Sequence, residues 1–180
     1  MPDHKRILLI SGSTRDGSTN TAALRAVAEA APDWVTAGLY GGLSALPAFN
    51  PDHDGPDLPP AAAGLRREIA AADAVMFCTP EYAGTLPGSF KNLLDWTVGG
   101  GELDGKPVAW LNVANQGRGG GAQATLETVL GYVGATVVEP ACRRLPVARD
   151  WVSAAGVITD PGFRAEVADA VAALAGGAPE

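Results

Sequence analysis

The chain has 180 residues, of which 47% are hydrophobic and 18% are charged, which is enough for one domain with a sizeable core. Its net charge of −7 argues against binding to nucleic acid and to anionic membrane surfaces, because Lys and Arg provide that affinity. The two Cys and two His stand far apart without metal-ligand spacing, so we expect no metal site. The apolar stretch over residues 7–10 is too short for a secretion signal, and we expect a cytoplasmic protein.

Strand-like apolar runs alternate with alanine-rich helical stretches along the chain. The sequence predicts strands over residues 6–11, 34–40, 73–79 and 106–114, and a fifth strand that begins over residues 136–139. It predicts helices over residues 21–31, 61–72, 87–96, 121–133 and 163–175, and a surface excursion over residues 41–60. This alternation is typical of an α/β fold, in which helices cover both faces of a parallel sheet. We predict a single domain over residues 1–180, a flavodoxin-like three-layer sandwich with a five-stranded parallel sheet of order 2-1-3-4-5.

The loop after the first predicted strand, SGSTRDGSTN at residues 11–20, leads directly into a helix. Its hydroxyls, Arg15 and the free N–H groups of the helix N-terminus form a donor set suited to a phosphate. The alternative interpretation is an ordinary helix cap, for which one Ser, Thr or Asn is enough. Ser18 stands where a nucleoside triphosphate-binding loop has lysine, and the GxGxxG pattern of dinucleotide binding is missing. A terminal phosphate, as in a mononucleotide, therefore fits best.

Two further loops follow predicted strands at the same edge of the sheet, where ligands of such folds bind. The second contains PEYAGTLPGSFKNLLDW at residues 80–96, in which Tyr82 offers an aromatic surface and Glu81 is either an anchor or a solvated carboxylate. The third, NQGRGGG at residues 115–121, is either a close approach of backbone to a ligand or a flexible turn. Arg118 either meets a phosphorylated second substrate or is solvated.

Together the three loops resemble the NAD(P)H-dependent FMN reductase family, which includes bacterial chromate, quinone and azo-dye reductases. The resemblance is carried by GSTRDGSTN at residues 12–20 and PEYAGTLPGSFKNLLDW at residues 80–96, with support from residues 117–121. It implies that FMN binds non-covalently and that NADPH or NADH is the co-substrate. It also implies a homodimer or homotetramer in which a neighbouring subunit completes the flavin site.

The resemblance further implies which residues hold the cofactor. Those that would bind the phosphate and the start of the ribityl chain are Ser13, Arg15, Ser18, Thr19 and Asn20. Those that would lie along the flavin ring are Pro80, Glu81, Tyr82, Ala83 and Gly84, and those that would close its other edge are Asn115, Gln116, Gly117 and Gly119. The sequence departs from the family at Ala83, where many members have Asn. If that Asn side chain bonds the flavin or orders the loop, the contact is lost here, while main-chain donors at residues 83 and 84 stay available. The departure therefore bears on substrate preference more than on FMN binding.

These features predict an oxidoreductase in which a hydride passes from the nicotinamide to FMN and electrons then pass to a flavin, a quinone or a similar small acceptor. No side chain is expected to act as a catalytic acid, base or nucleophile, in keeping with the scarcity of His and Cys. Two alternatives stay open. One is a flavodoxin-type electron carrier without NAD(P)H activity, and the other is a non-catalytic regulatory protein of the same fold.

Overall fold

Strands and helices alternate along the chain in the computed structural model, which describes residues 3–176 apart from the side chain of Arg149. The strands are β1 (Lys5–Ser11), β2 (Val35–Leu39), β3 (Ala74–Cys78), β4 (Pro107–Asn112), β5 (Thr136–Val137) and β6 (Arg143–Arg144). The helices are α1 (Thr19–Ala30), α2 (Pro60–Ala71), α3 (Gly88–Asp95), α4 (Gly120–Tyr132) and α5 (Pro161–Leu174). The strands are parallel in the order β2-β1-β3-β4-β5, which confirms the predicted flavodoxin-like topology.

The fifth position in the sheet is shared by two short strands instead of one. β5 pairs with the start of β4 at Pro107 and Val108, and β6 pairs with the end of β4 at Leu111 and Asn112. Between them lies a 3-10 turn, Glu139–Ala141, whose central residue is proline. Proline has no N–H to donate to a neighbouring strand, so pairing stops there and resumes after the turn. The fifth strand therefore ends earlier than the sequence predicts.

Alternate side chains of the central strands enter two separate cores, one on each face of the sheet. In β1, Ile7 and Leu9 pack with α1 and α5, whereas Leu8 and Ile10 pack with α2, α3 and α4. All five residues of β3 are buried, as expected for a strand covered on both faces. The two hydrophobic layers hold the strands in register, so their carboxyl ends and the loops that follow them meet at one edge.

The excursion over residues 41–60 is fastened to α3. The backbone N–H of Phe49 donates to Asn92 Oδ1 at 2.7 Å, and Trp96 Nε1 donates to the carbonyl of Pro47 at 2.9 Å. The rings of Phe49 and Trp96 meet edge to face with centroids 4.9 Å apart. These contacts hold the segment against the helix.

Candidate active site

The loop between β1 and α1, residues 12–18, presses directly against the end of β3. The N–H of Gly12 donates to the carbonyl of Cys78 at 2.9 Å. A Cβ on Gly12 would lie 2.2 Å from Thr79 Oγ1, so a larger residue would force the two strand ends apart. The close approach brings the β1–α1 loop alongside the loop that follows β3.

The N-terminus of α1 faces this loop with its first-turn N–H groups available. Ser18 is the N-cap residue, yet its side chain makes no capping hydrogen bond within residues 3–176, and the first turn carries no acidic residue. Ser18 is only 6% exposed, so it is held in place without serving as a cap. Together with the partial positive charge of the helix end, this arrangement favours an anion over the simple capping interpretation. A cavity of about 210 Å³ opens here, lined by Ser13, Arg15, Ser18, Thr19, Asn20, Pro80 and Tyr82.

The loop between β3 and α3, residues 79–87, contains a tight reverse turn. Tyr82 and Thr85 exchange two backbone hydrogen bonds of 3.0 and 3.1 Å. Between them Ala83 has φ +50° and Gly84 has φ +77°, the pair of positive values that defines a type I′ turn. Asn-Gly is the preferred sequence for this turn, and alanine is strained in the left-handed region. The turn therefore forms in this chain with a strained alanine at a position that suits Asn.

Glu81 ties the β3–α3 loop to the start of α4. Its Oε2 accepts hydrogen bonds from the backbone N–H groups of Gly121, at 2.7 Å, and Ala122, at 3.1 Å. A Cβ on Gly121 would lie 2.0 Å from the carbonyl oxygen of Gly84, so the loop and the helix are in direct backbone contact. Of the two interpretations of Glu81, the anchor is the one its contacts support.

Hydrogen bonds to Asn112, the last residue of β4, hold the loop between β4 and α4, residues 113–119. The Nδ2 of Asn112 donates to the carbonyl of Gly119 at 3.2 Å, and its Oδ1 accepts from the N–H of Ala114 at 3.1 Å. Asn112 is 7% exposed, and it ends a strand that is otherwise apolar. The sequence analysis missed this residue, although a polar side chain at the end of a buried strand is a usable signal.

A second cavity, of about 410 Å³, lies where the three loops meet. Its lining is Thr19, Asn20, Thr79, Pro80, Glu81, Val113, Ala114, Asn115, Arg118, Gly119 and Val147. Three of these, Thr19, Asn20 and Pro80, also line the 210 Å³ cavity, so the two cavities adjoin.

Most of the residues singled out from the sequence line one of the two cavities. The exceptions are Ala83, Gly84, Gln116 and Gly117, which lie at exposed positions in their loops. The lining residues that were not selected from the sequence are Thr79, Val113, Ala114 and Val147. Val147 belongs to the irregular segment after β6, which carries no motif, so nothing in its sequence context pointed to the site.

The two cysteines have the properties of neutral core thiols. Burial raises the pKa of the Cys78 thiol, and burial is also the main cause of the raised pKa of Cys142. A thiol held neutral is a poor nucleophile, and neither sulfur lines the two cavities. The site therefore offers binding groups and shape.

Comparison with known proteins agrees with this architecture. The model of a family described as NADPH-dependent FMN reductase matches residues 5–148. The chain belongs to this family. An NAD(P)H-dependent FMN reductase of Pseudomonas aeruginosa is 40% identical over 126 residues, which cover 69% of this chain and 67% of that protein. A 2-hydroxy-1,4-benzoquinone reductase of Burkholderia sp. is 34% identical over 132 residues, which cover 71% of each chain.

Among solved structures, the reductase resembles FerB, a flavoenzyme NAD(P)H:(acceptor) oxidoreductase from Paracoccus denitrificans. The two share a TM-score of 0.76 and 28% sequence identity, with 96% of each chain covered. Family membership makes the protein an FMN-dependent oxidoreductase that uses NAD(P)H, and it confirms the predicted enzyme class and cofactor. In the described part of the reductase, no helix has both the length and the apolar character needed to cross a bilayer.

Proposed function

We propose that the reductase binds FMN along the carboxyl ends of β1, β3 and β4 and uses it to pass electrons from NADPH to a quinone. The observation that carries this proposal is the pair of adjoining cavities, about 210 and 410 Å³ in volume, between the β1–α1, β3–α3 and β4–α4 loops. One is surrounded by hydroxyl groups and Arg15, as a phosphate requires. The other is large enough to take a flat ring.

The donor set at the smaller cavity fits a phosphate monoester. Ser13 and Ser18 offer hydroxyls, Arg15 offers a guanidinium, and the N-terminus of α1 offers backbone N–H groups. Arg15 donates within its own loop to the carbonyl of Gly17 at 3.4 Å, a long contact that a phosphate oxygen would readily replace. We assign this cavity to the FMN phosphate.

The larger cavity fits the flavin ring. Pro80 bounds one side of it and Asn115 and Gly119 bound another, so backbone and small side chains can lie close to a planar ligand. When bound, FMN supplies the hydride-accepting and electron-donating chemistry. The protein positions the ligand and shapes access to it. The carboxylate of Glu81 accepts hydrogen bonds from the N-terminus of α4, so its role is to anchor the β3–α3 loop.

Arg118 is a candidate for the phosphorylated co-substrate. It is exposed on the wall of the larger cavity, and its carbonyl accepts a hydrogen bond from Arg144 Nη2. Within residues 3–176 neither guanidinium forms an ion pair with a carboxylate. Two cations beside the proposed ring site would attract the phosphates of NADPH. This arrangement favours the binding interpretation of Arg118 over simple solvation.

We also propose that the reductase is a cytoplasmic homo-oligomer. Among the residues that the structure describes, four large hydrophobic side chains are exposed, namely Tyr82, Val98, Tyr132 and Trp151. Tyr132 is 90% exposed near the end of α4, and Tyr82 borders the phosphate cavity. Apolar side chains in such positions are suited to contact with another subunit. Light scattering coupled to size exclusion tests the oligomeric state, and a monomer at micromolar concentration would contradict this part of the proposal.

Three measurements on the purified protein test the proposed reaction. The first is the absorption spectrum after addition of FMN and removal of the excess, which is expected to show bound flavin. The second is an anaerobic titration with NADPH, which is expected to bleach that absorbance. The third is steady-state oxidation of NADPH with a benzoquinone as acceptor.

The outcomes separate the three candidate functions. Bleaching and quinone-dependent turnover support the reductase. Bound FMN that NADPH does not bleach, with no turnover on any acceptor, would contradict it and favour an electron carrier. A protein that fails to bind FMN would favour the non-catalytic alternative.

A further inference from the structure

Glu81 caps the N-terminus of α4, although it lies on a different loop. Gly119, the N-cap residue, has no side chain to accept from the first-turn N–H groups, and the first turn carries no acidic residue. The N–H groups of Gly121 and Ala122 donate instead to Glu81 Oε2, forty residues earlier in the chain. Capping by a side chain so distant in sequence places a carboxylate at the helix N-terminus.

That carboxylate also borders the cavity assigned to the flavin ring. Glu81, Gly119 and Asn115 all line it, so the N-terminus of α4 opens on the same space. A helix N-terminus carries about half a unit of positive charge, and an ionised carboxylate carries a full negative unit. With Glu81 in place the helix end therefore presents net negative charge. Arg118 lines this cavity and Arg144 lies beside it, and the exposure of both side chains lets solvent screen their charges.

We propose that Glu81 lowers the reduction potential of bound FMN by cancelling the positive end of α4. The inference rests on the proposed function. Hydride transfer would break a C–H bond of the dihydronicotinamide, leaving a pyridinium cation, and would form an N–H bond on the flavin. The flavin would gain two electrons and one proton, and therefore one negative charge. An uncapped helix end would stabilise that charge, whereas Glu81 opposes it. With Glu81 ionised, the ratio of affinities for reduced and oxidised FMN is smaller than it would be without that charge, so the reduced cofactor passes its electrons more readily to an acceptor.

The Glu81→Gln variant separates the charge from the capping contact. The amide oxygen of Gln can still accept from Gly121 and Ala122, but the negative charge is gone. We expect the ratio of affinities for reduced and oxidised FMN to rise about tenfold, which raises the two-electron midpoint potential by about 30 mV. Spectroelectrochemical titration of the FMN-loaded protein measures this shift.

The matched control is Glu127→Gln. It removes the same charge from α4 itself, but Glu127 is exposed, does not line the cavity and accepts from Gln123 at 3.1 Å. We expect its midpoint potential to match that of the wild type. An equal shift in both variants would mean that the net charge of the protein sets the potential, and the proposal would be wrong.

A second variant keeps the test decisive. Glu81→Ala removes both charge and cap, so it should raise the potential as Glu81→Gln does while also lowering the melting temperature of the FMN-free protein. A potential unchanged or lowered in the Gln variant would reduce Glu81 to a structural cap and overturn the inference. Wild-type protein that binds FMN but does not oxidise NADPH would refute the proposed function alone. Wild-type protein that does not bind FMN would overturn both.

Discussion

The β1–α1 loop and the pair formed by the β3–α3 and β4–α4 loops lie at the same edge of the sheet, but they are built differently. The first is local, because its hydroxyls, Arg15 and the helix N-terminus fall within one short stretch of chain. The pair depends on contacts between distant residues, above all between Glu81 and the N-terminus of α4. We call the first the phosphate end and the pair the ring end, after the parts of FMN that we propose to bind there. The phosphate end can form from one segment, whereas the ring end exists only when two loops are pressed together.

The largest combined effect, on both stability and FMN binding, is expected from Gly121→Ala, which breaks the ring end. Its new Cβ would lie 2.0 Å from the carbonyl oxygen of Gly84, so the β3–α3 loop must move. We expect a loss of about 1–3 kcal/mol in the free energy of unfolding, as for overpacked sites, together with weaker FMN binding. Thermal and urea unfolding and FMN titration measure the two effects.

Gly120→Ala is the control for that variant, because a Cβ at position 120 meets nothing within 4 Å. It adds the same methyl group to the same helix and should leave stability and FMN affinity close to those of the wild type. If both variants behave alike, the contact between the loop and the helix does not matter to the ring end.

The phosphate end is broken with Arg15→Ala. A hydrogen bond between a guanidinium and a phosphate is worth about 1.5–3 kcal/mol, so FMN affinity should fall by about 10- to 100-fold without a change in folding. Ser18→Ala removes a neutral donor and should cost about 1 kcal/mol of binding. Quenching of FMN fluorescence on titration with protein measures both.

Arg25→Ala serves as the control for the phosphate end, since Arg25 is exposed on α1 and does not line the cavity assigned to the phosphate. It removes the same charge from the same region and should leave FMN affinity nearly unchanged. Unchanged affinity in both Arg15→Ala and Ser18→Ala would refute the phosphate assignment.

A smaller effect is expected at the reverse turn of the β3–α3 loop, which belongs to the ring end. Ala83→Asn places a residue that tolerates positive φ where alanine is strained, and should stabilise the protein by about 1 kcal/mol. Gly84→Ala is the reciprocal change: its Cβ has open space, so only the positive φ opposes it, and it should destabilise by about the same amount. Thermal unfolding compares the two. Equal melting temperatures would show that this turn contributes no strain.

The smallest effect is expected at the amino-terminal ends of the strands, away from both the phosphate end and the ring end. The Arg6 N–H, 2.7 Å from Asp73 Oδ2, lowers the pKa of Asp73, with Lys5 as a weaker cause. A folded-state pKa below the unfolded one stabilises the protein above the usual value of 3.8, and this stabilisation is lost as pH falls through the folded value.

Asp73→Asn should therefore destabilise the protein at pH 7 by roughly 0.2–1 kcal/mol, the range of exposed ion pairs, and the difference should vanish in strong acid. Unfolding curves at pH 7 and at about pH 2 measure it, and FMN affinity should not change. A difference between variant and wild type that persists in acid would mean that the carboxylate charge is not its cause.

The sequence by itself determined the order of strands and helices, because apolar runs and helical periodicity are local properties. It also grouped residues that line the smaller cavity, since the residues from Ser13 to Asn20 are neighbours in the chain. The type of each element was predictable from such patterns, but the renewed pairing of Arg143 and Arg144 with the end of β4 was not, because it is a contact between residues distant in the chain.

The tertiary structure alone decided how the ring end is assembled. Glu81 has the same local sequence whether it is solvated or capping a helix forty residues away, and only the meeting of the two loops selects the second. The place of Val147 on the cavity wall and the brace from Asn112 have the same origin. Contacts between residues distant in the chain depend on how the sheet and its helices pack, so sequence motifs marked these loops without showing what joins them.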